Sequence, residues 1–187
     1  MTLFIATGNK HKVHEMSLML REFGIELEQK DIPIIEPDFD SIEEIALEKA
    51  KQAFEKLKHP VIAEDTGVYF EAYNNFPGQL AKRIYLGIDF EGLISLIKLK
   101  ENKKAHFKTA IAYFDGEESK VFSGKMEGSL LEEIVSSEKD RLPYEKLFVP
   151  NGFDKALVDL SVEEKNKISH RAKATKKFGE WFVNKQK

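Results

Sequence analysis

Leu3-Phe4-Ile5-Ala6-Thr7-Gly8-Asn9-Lys10-His11-Lys12 opens as an apolar run, passes through a glycine turn and enters a helical pattern. Val13, Met16, Leu20 and Phe23 then fall on one face at three- and four-residue spacing. The stretch predicts a strand over 2–7, a helix over 10–23 and, between them, a loop at a helix start. Such a loop offers free backbone N–H groups to a phosphate. Thr7 and Asn9 add side-chain donors beside Gly8, and Lys12 adds a cation. The same residue types cap helices that hold no ligand, so the segment by itself fits either a phosphate cradle or a plain connector. It is not a Walker A loop, which needs a second glycine and a Gly-Lys-Ser/Thr ending. With one glycine it is not a dinucleotide fingerprint either.

Outward from this stretch the pattern keeps alternating. A strand is expected near 25–29, then a proline-marked loop from Asp31 to Asp40. Ser41 caps a helix running to about Lys58, with Glu44 as its capping-box partner. Pro60-Val61-Ile62-Ala63 reads as a buried strand ending at Glu64-Asp65. A short strand over Val68–Ala72 leads into the turn Asn74-Asn75-Phe76-Pro77-Gly78, and a helix covers roughly 89–100. Ala105–Phe114 and Glu118–Glu127, joined at Asp115-Gly116, form the clearest hairpin in the chain. Residues 136–160 are loop-rich, and a helix closes the chain from about Ser169 to Asn184. Mixed strands with helices outside imply an α/β protein whose twisted sheet is part parallel and part antiparallel.

Composition narrows the class. The 187 residues are 42% hydrophobic and 33% charged, with a net charge of −3. That balance suits one globular domain, 1–187, and lacks the basic excess of a nucleic-acid binder. Lysines cluster at 98–104 and 165–177, where a solvated face is the default reading. Apolar runs are far shorter than the ~20 residues of a membrane helix, and the start lacks the pattern of a signal peptide. There is no cysteine, which excludes disulfides and thiolate metal sites. A cytoplasmic location is expected, with no membrane or nucleic-acid partner. No Gly-x-Ser-x-Gly elbow supports nucleophilic hydrolysis.

Two further clusters carry candidate chemistry. Glu64-Asp65-Thr66-Gly67 places paired acids before a glycine, as hard oxygen ligands for Mg²⁺ or as the start of an Asx-type turn. In Lys165-Asn166-Lys167-Ile168-Ser169-His170-Arg171, Ser169 is a helix N-cap, which puts His170 and Arg171 in the first turn. Cations are disfavoured there by the helix dipole. A bound anion would offset that cost, and a solvated surface turn is the alternative.

In this order the stretches resemble the inosine/xanthosine triphosphate pyrophosphatase (HAM1-like) family. The resemblance rests on Thr7-Gly8-Asn9, Lys12 and Glu15; on Glu64-Asp65-Thr66-Gly67 with Pro77-Gly78; on Phe122-Ser123-Gly124 and Gly128; and on Glu164-Lys165-Asn166, Ser169-His170-Arg171 and Ala174. It spans nearly the whole chain. It implies an elongated α/β fold of two lobes with the active site in the cleft between them, usually as a homodimer. It also implies Mg²⁺-dependent hydrolysis of non-canonical purine nucleoside triphosphates to monophosphate and pyrophosphate. By resemblance, Thr7, Gly8, Asn9 and Lys12 hold the triphosphate. Asp65 holds the metal and helps activate water, beside Glu64 and Thr66. Lys165, His170 and Arg171 contact the base and nearby groups, and Lys49 and Lys82 are further nucleotide-contacting lysines.

The chain departs from the family in two places. Ile34 stands where an acidic metal ligand is usual, and Glu36, two residues on, is the expected substitute. Leu142-Pro143-Tyr144-Glu145 replaces the Phe-Gly-Tyr/Trp-Asp segment that reads the base, leaving Tyr144 to stack and Glu145 to reach further than Asp. The rival class is a nucleotide-binding protein of the same fold that has lost or altered its turnover.

Overall fold

The computed structural model describes residues 2–135 and 143–186. β1 (Thr2–Ala6), α1 (Lys10–Leu20) and β2 (Glu26–Lys30) form a parallel unit in which Leu3 pairs with Leu27. α1 tightens into a 3₁₀ turn over Arg21–Phe23 and stops at Gly24. That glycine has φ +71°, a left-handed position that costs a residue without Cβ little. α2 (Ile42–Leu57) buries Ile42, Ile45, Ala46, Ala50 and Ala53 along one stripe. At its start the Ser41 hydroxyl accepts from the Glu44 amide at 3.2 Å and donates to the Glu44 carboxylate at 2.8 Å.

β3 (Val61–Phe70) differs from expectation. Glu64-Asp65-Thr66-Gly67 does not end a strand. It lies in the middle of one, because every residue from Val61 to Phe70 pairs with β5 (Lys104–Phe114). β4 (Pro77–Gly78) adds a short antiparallel partner beyond it. α3 (Ala81–Lys98) begins earlier than the 89–100 read from sequence. It bends at Asp89, whose φ is +51° and whose carboxylate accepts from the Phe90 amide at 2.7 Å, capping the second segment. The first segment has no side-chain cap, so its start carries no sequence signal. The hairpin forms between β5 and β6 (Ser119–Leu130), with Asp115 accepting from the amides of Glu117 and Glu118. β7 (Phe148–Pro150), α4 (Val162–Ile168) and α5 (His170–Lys185) complete the chain. α4 carries a full capping box, Ser161 with Glu164.

The sheet order is β2-β1-β3-β5-β6-β7, with β4 beside β3. It is a mixed α/β sheet with helices on both faces. α1 and α5 pack Met16, Leu20, Phe178 and Phe182 on Ile62, Ile111 and Tyr113. On the opposite face α2 packs Ile42, Ala46 and Ala50 on Ala63, Ala110 and Ala112. At the far end of β3, Val68 and Phe70 join a separate cluster with Leu93, Ile97, Phe107 and Phe148. The polar residues of β3 therefore lie between two apolar cores. Among the described residues no helix is long and apolar enough to cross a membrane.

β7 covers the outer edge of β6 only at Gly128–Leu130, and the rest of that edge is closed without a strand. Carbonyls of Ser123, Lys125 and Glu127 face outward at the two-residue period of a strand. They accept from Lys177 Nζ at 2.8 Å, Lys173 Nζ at 2.9 Å and the Asn151 amide at 3.0 Å. Two of the clustered C-terminal lysines thus serve as edge caps.

Candidate active site

The chain leaves β1 through α1 to reach β2 on one side, then returns through α2 to reach β3 on the other. α1 and α2 cover opposite faces. The carboxyl end of β1 is thus a topological switch point, where open α/β sheets leave a crevice for ligands. β1 stops at Ala6, opposite Ala63, and β4 starts opposite Val68. Between them the β1-facing edge of β3, from Glu64 to Gly67, has no strand partner among the described residues.

The loop Thr7-Gly8-Asn9 fills the head of this crevice. Asn9 is the N-cap of α1, and its Oδ1 accepts from the amides of His11 and Lys12 at 3.0 and 3.2 Å. Thr7 Oγ1 accepts from the Asn9 amide at 3.1 Å. The cap consumes two first-turn amides, which leaves the Thr7 hydroxyl proton, the Asn9 side-chain NH₂ and the Gly8 and Lys10 amides as donors. A Cβ on Gly8 would lie 3.1 Å from Asp31 Oδ1, so the loop passes close against that carboxylate.

Glu64 and Asp65 are neighbours on a continuous strand, so they project to opposite faces. Glu64 faces α1 and α5 with its side chain fully buried. It is ion-paired with Lys12 and accepts from Thr66 Oγ1, from Thr109 Oγ1 at 3.3 Å and from Arg171 Nε and an Arg171 terminal nitrogen at 3.3 and 3.2 Å. Arg171 also donates to Glu15 at 2.6 Å and to Thr66 Oγ1 at 3.4 Å. Burial opposes ionisation of Glu64, but Lys12 and Arg171 outweigh it and hold its carboxyl well below the usual range.

Asp65 faces α2. Its Oδ1 is 3.1 Å from Lys49 Nζ, which also donates to the Glu64 carbonyl at 3.2 Å and lies 3.7 Å from the exposed Glu36 carboxylate. Burial raises the Asp65 carboxyl above its ordinary range, and Lys49 and Lys12 offset only part of that. Lys49 is itself raised, because Asp65 and Glu64 overcome the desolvation that would lower it. The two adjacent acids are thus driven in opposite directions by their surroundings.

The helix start at 169–171 is as expected, with Ser169 Oγ accepting from the Ala172 amide at 3.0 Å. His170 is fully buried and stacked on Phe107 at 4.9 Å, and neither ring nitrogen has a partner among the described residues. Burial, then Arg171, push its pKa well below that of free histidine, so it is a neutral imidazole with hydrogen-bonding capacity left over. Lys165 and Glu145 form a buried ion pair nearby, and burial raises the Glu145 carboxyl.

Other sequence candidates lie elsewhere. Tyr144 is 4% exposed, and its hydroxyl donates to the Ala81 carbonyl at 2.8 Å between Phe70 and Tyr85. Its ring is part of the core and not an open platform for a base. Lys82 is exposed on the first turn of α3, outside the ion-pair network. Leu142 lies outside the described residues. Two polar groups of the network were given no role from sequence, although Glu15 was among the residues that carried the resemblance. Glu15 lies one turn along α1 from Lys12 and was signalled by that three-residue spacing. Thr109 sits directly across from Thr66 on β5, a pairing that only the register reveals.

Among the described residues no three His, Cys, Asp or Glu side chains cluster as a preformed metal cage. Glu64 is committed to Arg171, Lys12 and the two threonines. Asp65 and Glu36 both approach the Lys49 ammonium group, at 3.1 and 3.7 Å, so the two carboxylates lie within reach of one cation. One or two carboxylates with phosphate oxygens and water is the way Mg²⁺ is commonly held, so this pair fits that mode.

The chain matches the Ham1 family model over residues 3–181. It is 40% identical over 185 residues to the dITP/XTP pyrophosphatase of Methanopyrus kandleri, covering 98% of this chain and 97% of that one. It is 34% identical over 182 residues to the dITP/XTP pyrophosphatase of Thermococcus kodakarensis, covering 97% of each. In fold it is similar to a HAM1 protein from Coxiella burnetii, with a TM-score of 0.85 at 23% identity over 98% of this chain and 99% of that chain.

Proposed function

The chain belongs to the Ham1 family, and we propose that it hydrolyses non-canonical purine nucleoside triphosphates such as dITP and XTP to the monophosphate and pyrophosphate. The observation that carries the reading is the divergence of the two adjacent acids. A proton acceptor needs a raised pKa, and a positioning group needs a lowered one. Asp65 has the first environment and Glu64 the second.

Lys12, the Thr7 hydroxyl, the Asn9 amide group and the loop amides bind the phosphates at the switch-point crevice. Lys49 orients Asp65 and keeps its carboxylate charged. Asp65 takes a proton from the attacking water as its oxygen bonds to the α-phosphorus, and the α–β bridging bond breaks to release pyrophosphate. Glu64 takes no proton; it fixes Arg171 on the other face of the sheet and anchors Lys12 at the crevice. His170, with two unpartnered ring nitrogens, and the Lys165–Glu145 pair are the polar groups left to read the base. Asp65 and Glu36 would hold Mg²⁺, which when bound supplies neutralisation of phosphate charge. The split between two apolar cores supports the two-lobed reading, with the cleft at Glu64–Gly67.

Pyrophosphate release from dITP or XTP with Mg²⁺ tests this reading. Asp65→Asn keeps shape and loses the base, and kcat is expected to fall by roughly 10²-fold or more with Tm little changed. Turnover near that of the unaltered protein would overturn the assignment.

A further inference from the structure

Tyr69 shares the α2-facing side of β3 with Asp65 and Gly67. Its ring is fixed from three directions. It stacks on the cross-strand His106 at 4.8 Å with the planes 6° apart. A Cβ on Gly67 would stand 2.7 Å from the Tyr69 hydroxyl oxygen, and a Cβ on Gly78 would stand 3.3 Å from the ring. Gly78 has φ +60°, so a glycine is favoured there on backbone grounds as well. The ring therefore lies back along the strand, over the bare Gly67, with its hydroxyl directed toward Asp65.

That hydroxyl makes no hydrogen bond among the described residues, although the ring is half-buried. The cations of this face are spoken for. Lys49 serves Asp65 and Glu36, and Lys108 is paired with Glu43. Burial, with Glu43 and Asp65 nearby, pushes the phenol up to about 12, so at neutral pH it is an uncharged donor. A rigidly held donor with no internal acceptor, beside the proposed base, has its acceptor outside the chain.

We propose that the Tyr69 hydroxyl donates a hydrogen bond to a phosphate oxygen of the bound triphosphate, and that Gly67 is the residue that lets it reach. This rests on the reading of Asp65 as the catalytic base. The ligand class is the polyphosphate chain itself, since the donor lies on the Asp65 side of the sheet, away from His170 and the Lys165–Glu145 pair.

The test is Tyr69→Phe, which keeps the ring and its stack. Calorimetric affinity for inorganic triphosphate with Mg²⁺ and kcat/KM for dITP are both expected to fall roughly tenfold to a hundredfold, the usual range for a hydrogen bond to a charged group. Tm is expected to stay within about 2 °C of the parent. His106→Phe keeps an aromatic ring under Tyr69 and leaves the hydroxyl in place, so it is expected to match the parent. Affinity and kcat/KM within twofold of the parent in Tyr69→Phe would overturn the proposal. An equal loss in His106→Phe would overturn it too, by assigning the effect to packing. If the parent protein neither bound triphosphate nor hydrolysed dITP, the reading of the site would fail first, and separately.

Discussion

Arg171→Met removes the cation that joins α5 to the middle of β3 while keeping an unbranched apolar stem. Arg171 and Glu64 are each nearly or fully buried, and Arg171 also holds Glu15, whose side chain is 12% exposed. Losing it deprives Glu64 of two donors and leaves a buried carboxylate facing Lys12 and two hydroxyls. Breaking a buried ion pair from one side costs about 3–5 kcal/mol, because the surviving charge stays desolvated. For a domain of this size each kcal/mol corresponds to about 2–4 °C, so Tm at neutral pH is expected to fall by roughly 6–20 °C. The exposed pair Lys58–Glu55, at 65% and 69%, gives the contrast: Lys58→Met should cost no more than about 1 kcal/mol. Adding Glu64→Gln to Arg171→Met removes the stranded charge and is expected to recover part of the loss. pH supplies an independent signature. In the parent the Glu64 carboxyl is depressed, so its contribution is present above the unfolded value near 4.5 and is lost as pH falls through the folded value. The Tm gap between Arg171→Met and the parent should therefore narrow on acidification. Calorimetry or circular dichroism melts at several pH values, run on the parent, Arg171→Met, Glu64→Gln and the double variant, give the four curves of the cycle. A Tm drop under about 2 °C, or strict additivity of the two substitutions, would refute this account of the Glu64 network.

Three further outcomes follow from named contacts. Lys49 lowers the raised Asp65 carboxyl, so Lys49→Met should raise it further; as pH falls, activity is then lost at a higher pH than in the parent, which an acid-limb pH–rate profile measures. Glu36→Gln removes one of the two carboxylates around Lys49 and should raise the Mg²⁺ concentration for half-maximal activity; an unchanged titration would leave Asp65, water and phosphate as the only ligands. Replacing Lys173 and Lys177 together by Ala uncaps the outer edge of β6, and light scattering should detect self-association beyond the parent's state, whereas an unchanged mass would show that the edge needs no caps.

Local chemistry explains which parts could be read from the chain. The N-terminal strand, turn and helix, the Asp115-Gly116 hairpin and the caps at Ser41 and Ser169 depend on contacts within a few residues, and all form. Gly67 misled because glycine after Asp-Thr is ordinary turn chemistry. Its actual cause is the ring of Tyr69, a contact two residues away that exists only once β3 is extended. With the strand unbroken, Glu64 and Asp65 separate to opposite faces, so proximity in sequence did not mean one shared pocket. Tyr144 is likewise decided by tertiary packing: its hydroxyl meets the Ala81 carbonyl across 63 residues of sequence separation. The edge-capping role of Lys173 and Lys177 required knowing that α5 crosses β6.

The most direct test is product identity with matched substrates. XTP, dITP and ATP are incubated under one condition with Mg²⁺, and the nucleotide and phosphate products are resolved by chromatography with kcat/KM for each. Monophosphate with stoichiometric pyrophosphate is expected, with XTP and dITP preferred over ATP, because buried polar groups reject a base whose donors and acceptors are mismatched. Diphosphate with orthophosphate, or ATP consumed as efficiently as XTP and dITP, would contradict it.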